Sequence, residues 1–69
     1  MNVSEVKRVK FQNREYRIII IKSKNKVVLQ VSSSVIPTWE KIKEFYATEE
    51  YNIDFQIMEA KELLDEICK

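Results

Sequence analysis

The sequence contains no histidine and no glycine, and these two absences exclude several kinds of functional site. Without histidine, the chain lacks the side chain that most often acts as a general base near neutral pH and most often binds metals. Without glycine, neither a phosphate-binding P-loop nor a dinucleotide-binding fingerprint can form. We therefore predict a protein that is not an enzyme and that uses no metal and no cofactor.

Cysteine and long apolar runs are also scarce. Cys68 is the single cysteine, so no intramolecular disulfide can form, which favours a reducing compartment such as the cytoplasm. The first residues lead into charge rather than into an apolar stretch, so no signal peptide is predicted. The longest apolar run, residues 18–21, is far shorter than the ~20 residues that span a bilayer. We expect one domain, residues 1–69, that does not contact a membrane.

The distribution of charge is the most informative feature of what is present. Residues 1–26 carry eight Lys or Arg against two Glu, whereas residues 27–69 carry four Lys against nine Asp or Glu, and the whole chain has a net charge of +1. Such a division into a basic and an acidic half suggests charged partners.

The basic half has the pattern of three β-strands. Residues 6–11, 16–22 and 27–31 are rich in β-branched and aromatic side chains, and polar segments that each contain an Asn separate them. Asn tolerates the left-handed backbone conformation that turns often require. We predict four-residue loops at 12–15 and 23–26, with Phe11 opposite Tyr16 and Ile21 opposite Val28, and thus a three-stranded antiparallel meander.

The acidic half predicts helices together with a segment of two possible structures. Pro37, Trp39, Ile42 and Tyr46 suggest a helix over 37–47. Apolar and polar side chains alternate over residues 51–57, which is the pattern of a strand. Ile53 and the apolar residues after it also recur at helical spacing, and Thr48 is a possible N-cap of such a helix. We predict a strand at 51–57 and a helix at 59–68. The resulting fold is α+β with the order βββαβα, a two-layer structure with the helices on one face of the sheet; the alternative is βββαα.

In this register one sheet face is continuously apolar, and we predict that it is the core face. It collects Val9, Phe11, Tyr16, Ile18, Ile20, Val27, Leu29 and Val31. The other face, called here the outer face, is half basic and half apolar. An exposed apolar patch on such a face marks an interface with a partner or with a second copy. The candidate interface residues are Val6, Ile19, Ile21 and Val28.

The basic residues of the first half are candidates for nucleic-acid binding. Each Lys or Arg that contacts a phosphate releases a condensed counterion, so a basic sheet suits a phosphate backbone. Lysines at hairpin tips and sheet edges are also common for solubility and to prevent edge pairing, which is the plainer interpretation. The candidates are Arg8, Lys10, Arg14, Arg17, Lys22, Lys24 and Lys26.

The acidic residues from Glu49 to Glu66 permit docking on a basic partner, although a solvated helix face is the plainer interpretation and is the one we predict. From the sequence we therefore expect a small, non-enzymatic protein-interaction module whose partner is unspecified, and which self-associates as a homodimer through the outer face. A nucleic-acid-binding domain that uses the basic sheet is the alternative.

Overall fold

Four antiparallel strands and one C-terminal helix make up the computed structural model, which describes residues 3–33 and 38–69. The strand order in the sheet is β1-β2-β3-β4, so each strand pairs with its neighbour in the sequence. A single 3-10 turn, Lys22–Lys24, lies between β2 and β3. The fold is therefore α+β, as predicted. The elements are β1 Val3–Phe11, β2 Arg14–Ile21, β3 Lys26–Ser33, β4 Glu40–Tyr46 and α1 Ile53–Ile67.

The first hairpin is tighter than predicted, whereas the second has a four-residue loop that is displaced by one position, and Gln and Asn take the place of glycine in the turns. Gln12 and Asn13 have φ of 49° and 64°, the left-handed pair that a two-residue turn between antiparallel strands requires. Phe11 consequently pairs with Arg14 rather than with Tyr16. In the second hairpin Asn25 has φ of 52° and its N–H donates to the Lys22 carbonyl.

The core face is the predicted one, although both predicted registers are wrong. Ile21 pairs with Lys26 rather than with Val28, which is a displacement of two residues. Side chains alternate with a period of two along a strand, so such a displacement changes the partners and leaves every residue on its face. The buried residues of the core are Tyr16, Ile18, Val27, Leu29 and Phe45 from the sheet, with Ala60 and Leu64 from α1.

The helix predicted over 37–47 is wrong, because residues 40–46 form strand β4. Phe45 pairs with Val27 and is buried in the core, and the pairing satisfies backbone groups of β3 that would otherwise form a sheet edge. A register irregularity between Leu29 and Gln30 leaves Ile42 as an extra residue, which hides the strand alternation in the sequence. The predicted helix start at Pro37 lies outside the described residues.

The strand predicted at 51–57 is also wrong, and the helix predicted at 59–68 begins earlier, at Ile53. The Asn52 side chain accepts a hydrogen bond from the Phe55 N–H at 3.0 Å, which is the geometry of an N-cap. The Thr48 hydroxyl instead accepts from the Tyr51 N–H, at 2.9 Å, in the preceding turn. The fourth strand therefore precedes the helix, so the observed order is ββββα.

Helix α1 covers one face of the sheet. It contacts β2, β3 and β4, with Ile53, Ile57 and Ile67 packed around the core cluster. In the described ranges, no helix has both the length and the apolar character that a membrane span needs.

Candidate functional site

Val6, a predicted interface residue, belongs to the core face instead. Glu5 pairs with Ile19 and Lys7 pairs with Ile18, so Val6 is the extra residue of a β-bulge in β1. A bulge interrupts the alternation of side chains and can turn one of them to the opposite face. Val6 consequently packs against the core cluster.

Two of the other predicted interface residues lie on the outer face but are not accessible. Ile19 and Val28 form a cross-strand pair and are only 4% and 3% exposed. Their further neighbours across the strands are Glu5 and Glu44, which are long polar side chains. Ile21 is half-buried. The exposed apolar patch predicted for the outer face is therefore absent among the described residues at these positions.

Lys26, a predicted nucleic-acid ligand, forms an ion pair with Glu44 on the outer face. The two side chains are only 11% and 18% exposed. Lys41 donates to the same carboxylate at 3.0 Å and the Tyr46 hydroxyl lies 3.3 Å from it. The hydrogen bonds from Lys26 and Lys41 lower the pKa of Glu44 from 4.5 to about 2, and the bond to Glu44 raises the pKa of Lys26. The charge of Lys26 is thus neutralised within the fold.

Both arginines of the outer face also have partners within the chain. Arg8 donates from Nε to Glu5 at 2.6 Å and from Nη1 to Glu15 at 3.0 Å. Arg17 donates from Nε to the Gln30 side chain at 2.7 Å. Trp39 lies over both guanidinium groups, 4.1 Å from Arg17 and 5.4 Å from Arg8 measured to the ring centroid. These contacts hold the two cations against the sheet.

The four remaining basic candidates are exposed but do not form one patch. Lys10 and Arg14 lie beside the β1–β2 turn, whereas Lys22 and Lys24 lie in the β2–β3 connection at the other end of β2. A strand of that length spans roughly 25 Å at about 3.3 Å per residue. Within the described ranges, none of the four forms a salt bridge. The structure therefore disperses the basic group that the sequence predicts.

A surface that the sequence analysis missed is the side of α1 that faces away from the sheet. Tyr51 and Met58 are 48% and 49% exposed, and the Tyr51 and Phe55 ring centroids are 4.8 Å apart. Phe55 is half-buried, yet it is not one of the hydrophobic residues that pack on the core in the described part of the chain. Phe55 and Met58 are three residues apart and share one face of α1, and Tyr51, which precedes the N-cap Asn52, lies beside Phe55. We call Tyr51, Phe55 and Met58 the outward stripe.

The outward stripe is surrounded by negative charge. Residues 47–69 contain seven Asp or Glu against two Lys. In the described part of the chain only Glu66 of these carboxylates forms a salt bridge, with Lys69 at 3.3 Å. The spacing of Phe55 and Met58 is helical, whereas the sequence analysis predicts a strand over 51–57.

The described residues include no group of three or more His, Cys, Asp or Glu that could hold a metal ion, and no buried side-chain nitrogen or oxygen among them lacks a hydrogen-bond partner. Cys68 packs against the core, and burial raises the pKa of its thiol, which disfavours the reactive thiolate. Comparison of the chain with protein-family models, curated proteins and solved structures finds no match.

Proposed function

We propose that this chain is a non-enzymatic protein-interaction module that binds a partner protein through the outward stripe of α1. The observation that carries the proposal is an aromatic and methionine surface on the side of the helix opposite its buried residues Ala60 and Leu64. Single exposed apolar residues are normal, whereas contiguous ones mark interaction sites. Aromatic side chains and Met are enriched at protein interfaces. The opposite face of α1 completes the core, and the outward stripe lies outside the core cluster of the described residues.

The chemistry of the chain supports a binding role over a catalytic one. Histidine and glycine are absent, and the only thiol is half-buried with a raised pKa. The single cysteine also suits a reducing compartment such as the cytoplasm, which we propose as its location.

Site-specific photocrosslinking tests this function. A photoreactive phenylalanine analogue replaces Met58 in the cells that naturally express the chain, and the same analogue replaces exposed Lys22 as the matched control. We expect an adduct from position 58 that disappears with Phe55→Ser, and no such adduct from position 22. Adducts from position 22 alone, or from neither position, would contradict the proposal.

Self-association through the outer face is a second candidate. Tyr46 is 58% exposed on the outer face beside Glu44, and Ile42 is 37% exposed at the irregularity of β4, the edge strand of the sheet. A dimer formed there would appear in light scattering, and Ile42→Glu would return it to a monomer. We expect Ile19→Glu to destabilise the fold instead, because Ile19 is almost fully buried.

Nucleic-acid binding is the alternative from a different class. Exposed Lys10, Arg14, Lys22 and Lys24 support it, whereas the internal partners of Arg8, Arg17 and Lys26 weigh against it. Fluorescence anisotropy with labelled DNA and RNA at low and near-physiological salt distinguishes the two classes. Binding that persists at physiological salt and is lost when the four exposed cations become alanine would favour nucleic acid.

A further inference from the structure

Resting on that proposed function, we infer that the partner of the outward stripe is a basic amphipathic helix whose apolar residues are flanked by Lys or Arg. Phe55 and Met58 lie about one turn apart at the start of α1, and Tyr51 extends the apolar surface past the N-cap. A second helix covers such a surface when its side-chain ridges pack into the grooves of the first.

The charge around the outward stripe determines the sign of the charge that a partner must carry. Asp54, Glu59 and Glu62 each lie four residues from Phe55 or Met58, and Lys61 lies three residues after Met58, so the helix neighbours of the stripe carry three negative charges against one positive charge. None of these three carboxylates has an ion-pair partner within residues 3–33 and 38–69. Lysines or arginines on both sides of an apolar centre would pair with them as the apolar residues dock.

The same carboxylates argue against other occupants. Two copies of α1 that met through the outward stripe would bring Asp54 and Glu62 of each copy close together, and like charges at an interface are costly. A phosphate backbone or an anionic membrane would be repelled by this surface in the same way. The complementary occupant is therefore a cationic segment of another protein.

Three synthetic peptides test the inference directly. Each has about 18 residues, or five turns of helix. The first carries Leu and Lys at amphipathic helical spacing, the second has Glu in place of every Lys, and the third contains the residues of the first in an order that forms no apolar face. Anisotropy of the labelled peptide is recorded against the intact chain at low salt and at about 150 mM salt.

We expect the Leu/Lys peptide to bind at least about tenfold more tightly than the other two, with affinity that decreases as salt increases. Phe55→Ser combined with Met58→Ser should weaken binding about tenfold or more, and so should Asp54→Asn combined with Glu62→Gln. Ile42→Ser is the matched control, because Ile42 is also an exposed apolar residue but lies on the sheet. Circular dichroism verifies that each variant is folded.

Several results would overturn the inference. Absence of Leu/Lys binding, equal binding of the Leu/Glu or the reordered peptide, or full binding by the stripe variant would each refute it. Light scattering that shows a dimer dissociated by Met58→Ser would identify a second copy as the occupant. If the position 58 crosslink forms while the Leu/Lys peptide does not bind, the proposed function stands and only the chemistry of the partner is wrong.

Discussion

Replacing Leu64 with alanine tests the orientation of α1, on which the assignment of its outward face depends. Leu64 is 1% exposed and lies in the core cluster with Ala60, whereas Met58 on the other side of the same helix is 49% exposed. If the helix is oriented as described, Leu64→Ala and Met58→Ala should differ widely in their effect on the free energy of unfolding.

The magnitude follows from the burial of the two side chains. Leu64→Ala removes three buried carbon atoms, which is about 2.4 kcal/mol at about 0.8 kcal/mol per methylene. The cavity left behind raises the loss of stability to about 3–5 kcal/mol. Met58→Ala removes atoms that are half in water and places a better helix former at the position, so we expect a change within about 0.5 kcal/mol.

Urea unfolding provides the assay, with two probes of different elements. Trp39 fluorescence reports on the outer face of the sheet, and circular dichroism near 222 nm reports on α1. For a domain of this size the slope is about 1 kcal/mol per molar urea, so Leu64→Ala should lower the midpoint by about 3 M or more. A domain with about 4–10 kcal/mol of stability tolerates that loss only narrowly. Leu64→Val, with an expected loss of about 1–2 kcal/mol, therefore provides a milder variant.

Equal midpoint shifts for Leu64→Ala and Met58→Ala would refute the orientation of α1. A larger shift for Met58→Ala would do so as well, and would also remove the basis for the outward stripe. Coincidence of the fluorescence and dichroism transitions in the wild type would show that helix and sheet unfold as one unit.

Three further predictions concern turns, caps and pH. Gln12→Asn with Asn13→Gly should stabilise the protein by about 1 kcal/mol in thermal or urea unfolding, because both positions have left-handed φ; an unchanged or lower midpoint would contradict the turn geometry. Asn52→Ala should cost about 1 kcal/mol by the same measurement, since the side chain caps α1, while Asn52→Asp should retain most of the stability. Stability should decrease as the pH falls from 4.5 towards about 2, because the pKa of Glu44 is lowered in the folded state and protonation breaks its pair with Lys26. In Glu44→Gln the urea midpoint should change less between pH 4.5 and about 2 than in the wild type. If the variant and the wild type show the same pH dependence, the pair with Lys26 does not contribute to stability.

The core face could be predicted from the sequence because a register displacement of two residues leaves each side chain on the same face of its strand. Both hairpins were displaced by two residues, and Val9, Tyr16 and Leu29 nevertheless remained on the predicted side. An error of one residue would have inverted every assignment. The bulges could not be predicted, since an extra residue such as Val6 has no local signature and is placed by the strand opposite it.

The helix and the fourth strand are interchanged in the prediction because residues 51–57 fit both periodicities and the extra residue Ile42 hides the alternation of 40–46. Ile53 and Ile57 fit a strand over four residues, and only Ala60 and Leu64 beyond them complete a helical face. Over 40–46 the local pattern is ambiguous, and the open edge of β3 determines the result. Tertiary pairing overrides local propensity in such cases.

The candidate site was hardest to predict, because the availability of a charge depends on its neighbours in space. Arg8 is neutralised by Glu15 and Lys26 by Glu44, and both contacts depend on strand register. The sequence shows the charge of these residues but not their partners. The outward stripe could not be predicted for a different reason. Its three residues form one surface only because Phe55 and Met58 lie on a helix and Tyr51 lies in the turn before it, whereas the sequence analysis predicts a strand there.

The strand order β1-β2-β3-β4 has a consequence for how fast the chain reaches its structure. Each strand pairs with its neighbour in the sequence, so only short loops close when the sheet forms. The entropy lost in closing these loops is therefore small. We expect folding within milliseconds or faster, with hairpins forming first and α1 docking across β2 and β3 last. During synthesis the strands can then pair in the order in which they emerge, and α1 packs over the core after the sheet that precedes it in the sequence.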